Sequence, residues 1–155
     1  MASPSLAARI FRQIILCIQA EGYCNILLTG GRAAACLYKS LAQIPDFEKI
    51  RNVRFYFSDE RYVSPNHADS NYGLVMRSLF SKEVPIDCQV IGMTAEYPNI
   101  DDAAQFYESL MLIEFDIALL SMGEDGHIAS LFPHSPALFE TERKVVPVIG
   151  PKPPF

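Results

Sequence analysis

Asn25 to Thr29 reads NILLT and runs directly into Gly30-Gly31-Arg32, after which Ala33 to Ala42 carries apolar residues at helical spacing. A short, nearly all-apolar run is what a strand covered on both faces looks like, and the paired glycines end it. Strand, glycine turn and helix in immediate succession make the opening half of a βαβ unit. That unit decides the fold, because a parallel sheet needs helices on its faces to connect its strands.

Working outward, the upstream segment places Leu6, Ala7, Ile10, Ile14, Cys17 and Ile18 at helical spacing before Gly22. Ser3-Pro4 reads as its N-cap and first turn, and the helix is expected to end near residue 21. Downstream, Val53 to Ser58 (VRFYFS) is aromatic and β-branched, a second strand entering Asp59-Glu60-Arg61. A polar loop then reaches Ser70 or Asn71, either of which can cap a helix over 71–80. Cys88 to Met93 is a weaker strand. Asp101-Asp102 opens a helix to about Glu114 with Ala104, Tyr107 and Met111 facing the core, Phe115 to Ser121 is another strand, and Val145 to Ile149 a last one. The fold class that follows is α/β: a three-layer, mostly parallel, Rossmann-like sheet with helices on both faces, in one domain over 1–155. Such sheets bind ligands at the carboxyl ends of their strands.

Composition narrows the function. The 155 residues are half hydrophobic and one-fifth charged, an ordinary globular balance. Thirteen Lys and Arg against 18 Asp and Glu leave a net charge of −5, so a basic field for nucleic acid is missing. Cys17, Cys24, Cys36 and Cys88 form no CxxC pair and have no His at ligand spacing, which argues against a metal site. They are expected to be buried or semi-buried thiols of a reducing compartment. Arg9 and Arg12 interrupt the N-terminal apolar run, which is too polar for a signal peptide and too short to span a bilayer; the cytoplasm is the expected location.

Chemistry-bearing residues gather after strands. Thr29-Gly30-Gly31-Arg32 offers backbone N–H groups, a helix dipole and a cation to a phosphate, although a tight strand-to-helix turn uses the same residues. Asp59-Glu60-Arg61 places two carboxylates and a guanidinium at a strand end, an arrangement that also suits surface ion pairs. In Gly123-Glu124-Asp125-Gly126-His127 the glycines let an Asp and a His approach, and an imidazole oriented by a carboxylate is a natural general base. His67 and His134 read as surface residues, and Phe55, Tyr56 and Phe57 as core.

Together, LLTGGRAAACLYKSLA, FYFSDERYVSPNHADSNYG and SMGEDGHIASLFPHSP resemble the phosphate loop, the DER segment and the GxDGHxASLFP signature of the 6-phosphogluconolactonase family. That family belongs with the glucosamine-6-phosphate deaminases in one superfamily. The resemblance implies hydrolysis of 6-phospho-D-glucono-1,5-lactone to 6-phosphogluconate, in the oxidative pentose phosphate pathway, without metal or organic cofactor. It implies that His127 activates water, that Asp125 holds its loop and ring, and that Asp59 lies near the sugar. Arg61 and Asn71 would arrange substrate and the DER loop, Gly30, Gly31 and Arg32 would meet the 6-phosphate, and Lys152 would approach it. The implied partner is a small phosphorylated sugar lactone, with neither nucleic acid nor membrane.

The chain departs from the family pattern at Ala33-Ala34, where relatives usually have Thr and Pro after the phosphate-loop glycines. It also stops at Pro151-Lys152-Pro153-Pro154-Phe155, where the family continues, so a partial, C-terminally truncated member is expected. Two other readings stay open: an amino-sugar-phosphate deaminase or isomerase in which Asp59 abstracts a carbon-bound proton, and a catalytically silent sugar-phosphate-binding module. Arg61 and Ser130 to Pro133 favour the lactonase branch, because deaminases typically have DEY and an FNEP-like continuation.

Overall fold

Apolar spacing builds the first layer. In a computed structural model describing residues 5–93, 96–111 and 114–150, helix α1 (Leu6–Glu21) buries Ala7, Ile10 and Ile14 along one stripe. Its N-cap is Ser5, whose hydroxyl accepts from Ala8 N at 3.3 Å. The cap is thus one residue beyond the expected Ser3-Pro4 pair, which lies outside the described residues. Strand β1 (Cys24–Leu28) leads into α2 (Arg32–Ala42), β2 (Val53–Phe57) into α3 (Asn71–Ser78), and β3 (Gln89–Val90) into α4 (Ile100–Leu110), followed by β4 (Ile117–Ala118). Short 3₁₀ turns cover Phe47–Lys49 and Pro136–Phe139.

The strands pair in the order β3-β2-β1-β4, all parallel, with Cys24 opposite Val53 and Leu28 opposite Phe57 at the centre. Side-chain alternation then assigns the faces. Cys24, Ile26 and Leu28 of β1 and Val53, Phe55 and Phe57 of β2 join Ile14, Tyr38, Leu41 and Val75 in one core beneath α1, α2 and α3. Tyr56 points to the other face, where it packs with Tyr107 and Met111 against Leu27, Phe115 and Val145. Helices therefore cover both faces, as the pattern predicts.

The outer strands differ from expectation. β3 and β4 are two-residue ladders, extended by the bonds Ile91 N to Phe55 O and Leu119 N to Leu27 O, both 2.8 Å. No strand forms over 145–149; Pro147 has no N–H to give a ladder, and the segment instead lies against the second cluster through Val145. All four cysteines are free: Cys24 is buried and Cys17 and Cys88 are half-buried, as expected, whereas Cys36 is exposed on α2, against the expectation of a buried or semi-buried thiol. Among the described residues no helix is long and apolar enough to cross a membrane.

Candidate active site at the carboxyl edge of the sheet

Where β1 ends, the neighbouring ladder has run out and the Thr29 peptide groups need other partners. The Tyr38 hydroxyl supplies them: it accepts from Thr29 N at 3.0 Å and donates to Thr29 O at 2.7 Å. At the end of β2 the Tyr107 hydroxyl treats Phe57 in the same way, accepting from its N–H at 2.7 Å and donating to its carbonyl at 3.1 Å. A phenol suits the task because one oxygen both donates and accepts. Burial, the dominant cause for each, pushes both phenols above their ordinary pKa. Tyr107 reads from sequence as a core residue and Tyr38 carries no local signal of this role; only the packing of α2 and α4 onto the strand ends reveals the clamps.

Beyond β2, Asp59 is buried and Arg61 half-buried. Asn71, 2% exposed, donates through Nδ2 to the Asp59 carbonyl at 3.0 Å and to its Oδ1 at 3.3 Å. Gly30 makes room for this amide, since a Cβ there would lie 1.9 Å from Asn71 Oδ1. Ser70 caps α3 by accepting from Gly73 N, so the choice between Ser70 and Asn71 falls to Ser70. Glu60 lies across the same helix end, accepting from Asn71 N and Tyr72 N at 2.7 Å and from Ser70 Oγ at 3.2 Å. Its carboxylate satisfies the helix's orphan N–H groups and complements the positive end of the dipole. Of the two acids in the DER run, Glu60 is therefore structural, a role that sequence reading missed because its partners lie across a ten-residue loop.

The third segment follows β4. Ser121 Oγ and Thr29 Oγ1 lie 3.0 Å apart, joining the ends of β4 and β1. Gly123 N donates to His127 O at 2.8 Å, closing a small loop. The His127 ring lies directly over Gly123, where a Cβ would come within 2.1 Å of its Cε1. His127 Nδ1 stands 2.5 Å from Asp125 Oδ1. A carboxylate only accepts, so Nδ1 carries the shared proton and Nε2 presents the lone pair. This bond, with a further one from the His127 N–H, holds the Asp125 carboxyl below its ordinary pKa. Phe132 backs the imidazole with ring centroids 4.8 Å apart. Ser130 Oγ donates to Asp59 Oδ2 at 2.8 Å, bringing this segment to the end of β2.

Three of the sequence-selected segments are thus linked by contact, from Gly30 through Asn71 and Asp59 to Ser130. Gly31 caps α2 without a side-chain hydrogen bond, and Arg32 is exposed on its first turn. His67 and His134 are exposed, as expected. Lys152 lies outside the described residues. A cavity of about 300 Å³ opens beside Asp59, Arg61 and Ser130, bounded mainly by apolar side chains of α4 and of 145–148. His127 and the Gly30–Arg32 turn are not part of its wall. Among the described residues no group of His, Cys, Asp and Glu is arranged to hold a metal ion.

Comparison with known proteins agrees with the family resemblance and with the fold. Residues 1–155 match the family described as Glucosamine-6-phosphate isomerases/6-phosphogluconolactonase. The chain is 34% identical to a 6-phosphogluconolactonase of Pseudomonas putida, over 97% of its own length and 64% of the relative's. It is 35% identical to one of Mycobacterium tuberculosis, over 94% of the chain and 65% of the relative. Among solved structures, a 6-phosphogluconolactonase from Shewanella baltica superposes with a TM-score of 0.82 at 27% identity, covering 94% of this chain and 64% of that one. One from Trypanosoma brucei superposes at 0.72 with 28% identity, covering 91% and 64%. The chain therefore spans a little under two-thirds of the length of these relatives.

Proposed function

The chain belongs to the glucosamine-6-phosphate isomerase/6-phosphogluconolactonase family, and from that membership we propose that it hydrolyses 6-phospho-D-glucono-1,5-lactone to 6-phosphogluconate in the cytoplasm. The observation that carries the proposal is the Asp125–His127 pair, which leaves Nε2 as the basic nitrogen. In this reading His127 Nε2 takes a proton from water while the water oxygen attacks the lactone carbonyl. When the ring C–O bond of the tetrahedral intermediate breaks, the imidazolium returns that proton to the leaving oxygen, and the new carboxylic acid ionises. General-base assistance of this kind contributes typically about 10²–10⁴-fold. Water is the sole co-reactant, and the family resemblance implies neither metal nor organic cofactor.

The phosphate is assigned to Gly30, Gly31 and Arg32 because the two nearby helix ends differ. The first turn of α3 is filled by Glu60 and Ser70, whereas that of α2 has no side-chain cap and carries Arg32. Arg61 and Asn71 shape the substrate side of the DER loop, and Lys152 is assigned to the phosphate as well. The competing deaminase chemistry is disfavoured by Arg61 and Ser130 to Pro133, which follow the lactonase pattern; Ser130 and Asn71 each donate to one Asp59 oxygen. The deciding experiment measures lactone hydrolysis above the spontaneous rate, alongside ammonia release from glucosamine 6-phosphate. Hydrolysis without ammonia supports the proposal; ammonia without added hydrolysis replaces it with the deaminase reading.

A further inference from the structure

We propose that Ser130 is a positioning residue, whose hydrogen bond to Asp59 sets where the His127 loop stands relative to the end of β2. The inference rests on the lactonase reading above. Several bonds of the loop are internal to it: Gly123 N to His127 O, Gly126 N to Gly123 O, and Leu131 N to Ile128 O. They give the loop a shape without fixing its place. Ser130 Oγ to Asp59 Oδ2, at 2.8 Å, joins it to a residue 71 positions away.

The receiving end of this bond is rigid. Asp59 is held by Asn71, which is itself buried and packed on Gly30, so the carboxylate has little freedom to follow a moving loop. The donating end is under constraint. Ala129 adopts φ 53°, a left-handed conformation unusual for a residue with a Cβ. Such backbones persist where surrounding contacts over-determine them, and they cluster at working sites. Here the turn at Ala129 carries the chain from His127 to a hydroxyl seated on Asp59. Ser130 is no nucleophile in this arrangement, because its hydroxyl donates to the Asp59 carboxylate rather than to the basic Nε2 of His127. Misplacement of a reacting group by about 1 Å can cost on the order of 10² in rate, so a bond that sets loop position acts on turnover.

The test compares the chain with S130A, S130T, D59A and the S130A/D59A double variant. S130A is expected to lower kcat for the lactone about 10–100-fold with KM within about threefold, and S130T, which keeps the hydroxyl, to recover most of that loss. If Ser130 acts through Asp59, S130A costs far less in the D59A background than alone. Independently of turnover, the His127 Cε1–H resonance should shift or broaden in S130A and return in S130T. Wild-type kcat in S130A, a loss confined to KM, or equal losses in both backgrounds would overturn the proposal. Should the unsubstituted protein fail to open the lactone, the functional reading falls, and the His127 resonance alone decides the positioning role: an unchanged signal in S130A rejects it.

Discussion

The ends of β1 and β2 and the loop after β4 meet at one edge of the sheet but are held by different physics. Thr29 and Phe57 sit on buried strands with their last peptide groups bonded to buried tyrosines, and Glu60 and Asn71 complete the frame. The 123–131 loop is largely exposed, with Asp125 about half-exposed and His127 partly covered. Its geometry comes from a glycine under an imidazole and a local Asp–His bond. The frame should therefore govern stability and the loop activity, with Ser130–Asp59 as a junction between them.

The strongest way to break this division is His127→Ala. It should lower the catalysed lactone rate by roughly two to four orders of magnitude while leaving the thermal midpoint nearly unchanged, because the ring packs on its own loop and on Phe132 and belongs to neither apolar core. A large fall in midpoint, or full activity, contradicts the contrast.

The converse variants are Tyr38→Phe and Tyr107→Phe. Each strands a buried N–H and C=O at a strand end, at a cost of about 1–3 kcal/mol per group. Denaturant unfolding should show a loss of about 2–4 kcal/mol in each, larger than any loop substitution produces. A change below about 0.5 kcal/mol would mean that the clamps are dispensable.

Gly123→Ala sharpens the comparison further. The new Cβ must push the imidazole aside, so the lactone rate should drop by about tenfold or more with folding stability almost unaltered. Equal activity would show that the ring has freedom to retreat.

The smallest effect concerns pH. Burial raises the pKa of both clamp tyrosines, so the unfolded chain releases these protons first, at about pH 10. Their contribution is complete below that value and declines as pH rises through it. Urea midpoints between pH 8 and 11 should fall less steeply in Tyr38→Phe than in the parent. For Asp125 the direction reverses: its carboxyl is held down by the His127 bond, so the small contribution of that bond is present above about pH 4 and fades in more acidic solution. NMR titration of the Asp125 carboxyl should find a midpoint below the ordinary value.

Much of the fold is legible along the chain. The β1–α2 and β2–α3 units follow from NILLT-GGR and VRFYFS-DER because a buried parallel strand, its turn and its helix each leave a local pattern. The short β3 and β4, and the absence of a strand at 145–149, were not legible, since ladder length depends on what a neighbour offers. His127 with Asp125 was legible as two residues in one glycine-rich loop. The role of Glu60 was not, because the N–H groups it caps belong to a helix that starts beyond a polar loop.

Sequence by itself determined the alternation of helices with the four strands and the three segments that follow strand ends, because burial periodicity and turn chemistry are local properties of the chain. Tertiary structure alone decided that Glu60 of the DER run caps α3 while Asp59 is held by Asn71 and Ser130, which hydroxyls clamp the strand ends, and that Ser130 joins the His127 loop to Asp59. Those are pairings between residues far apart in sequence, and a hydrogen bond between them exists only once the sheet has set their separation.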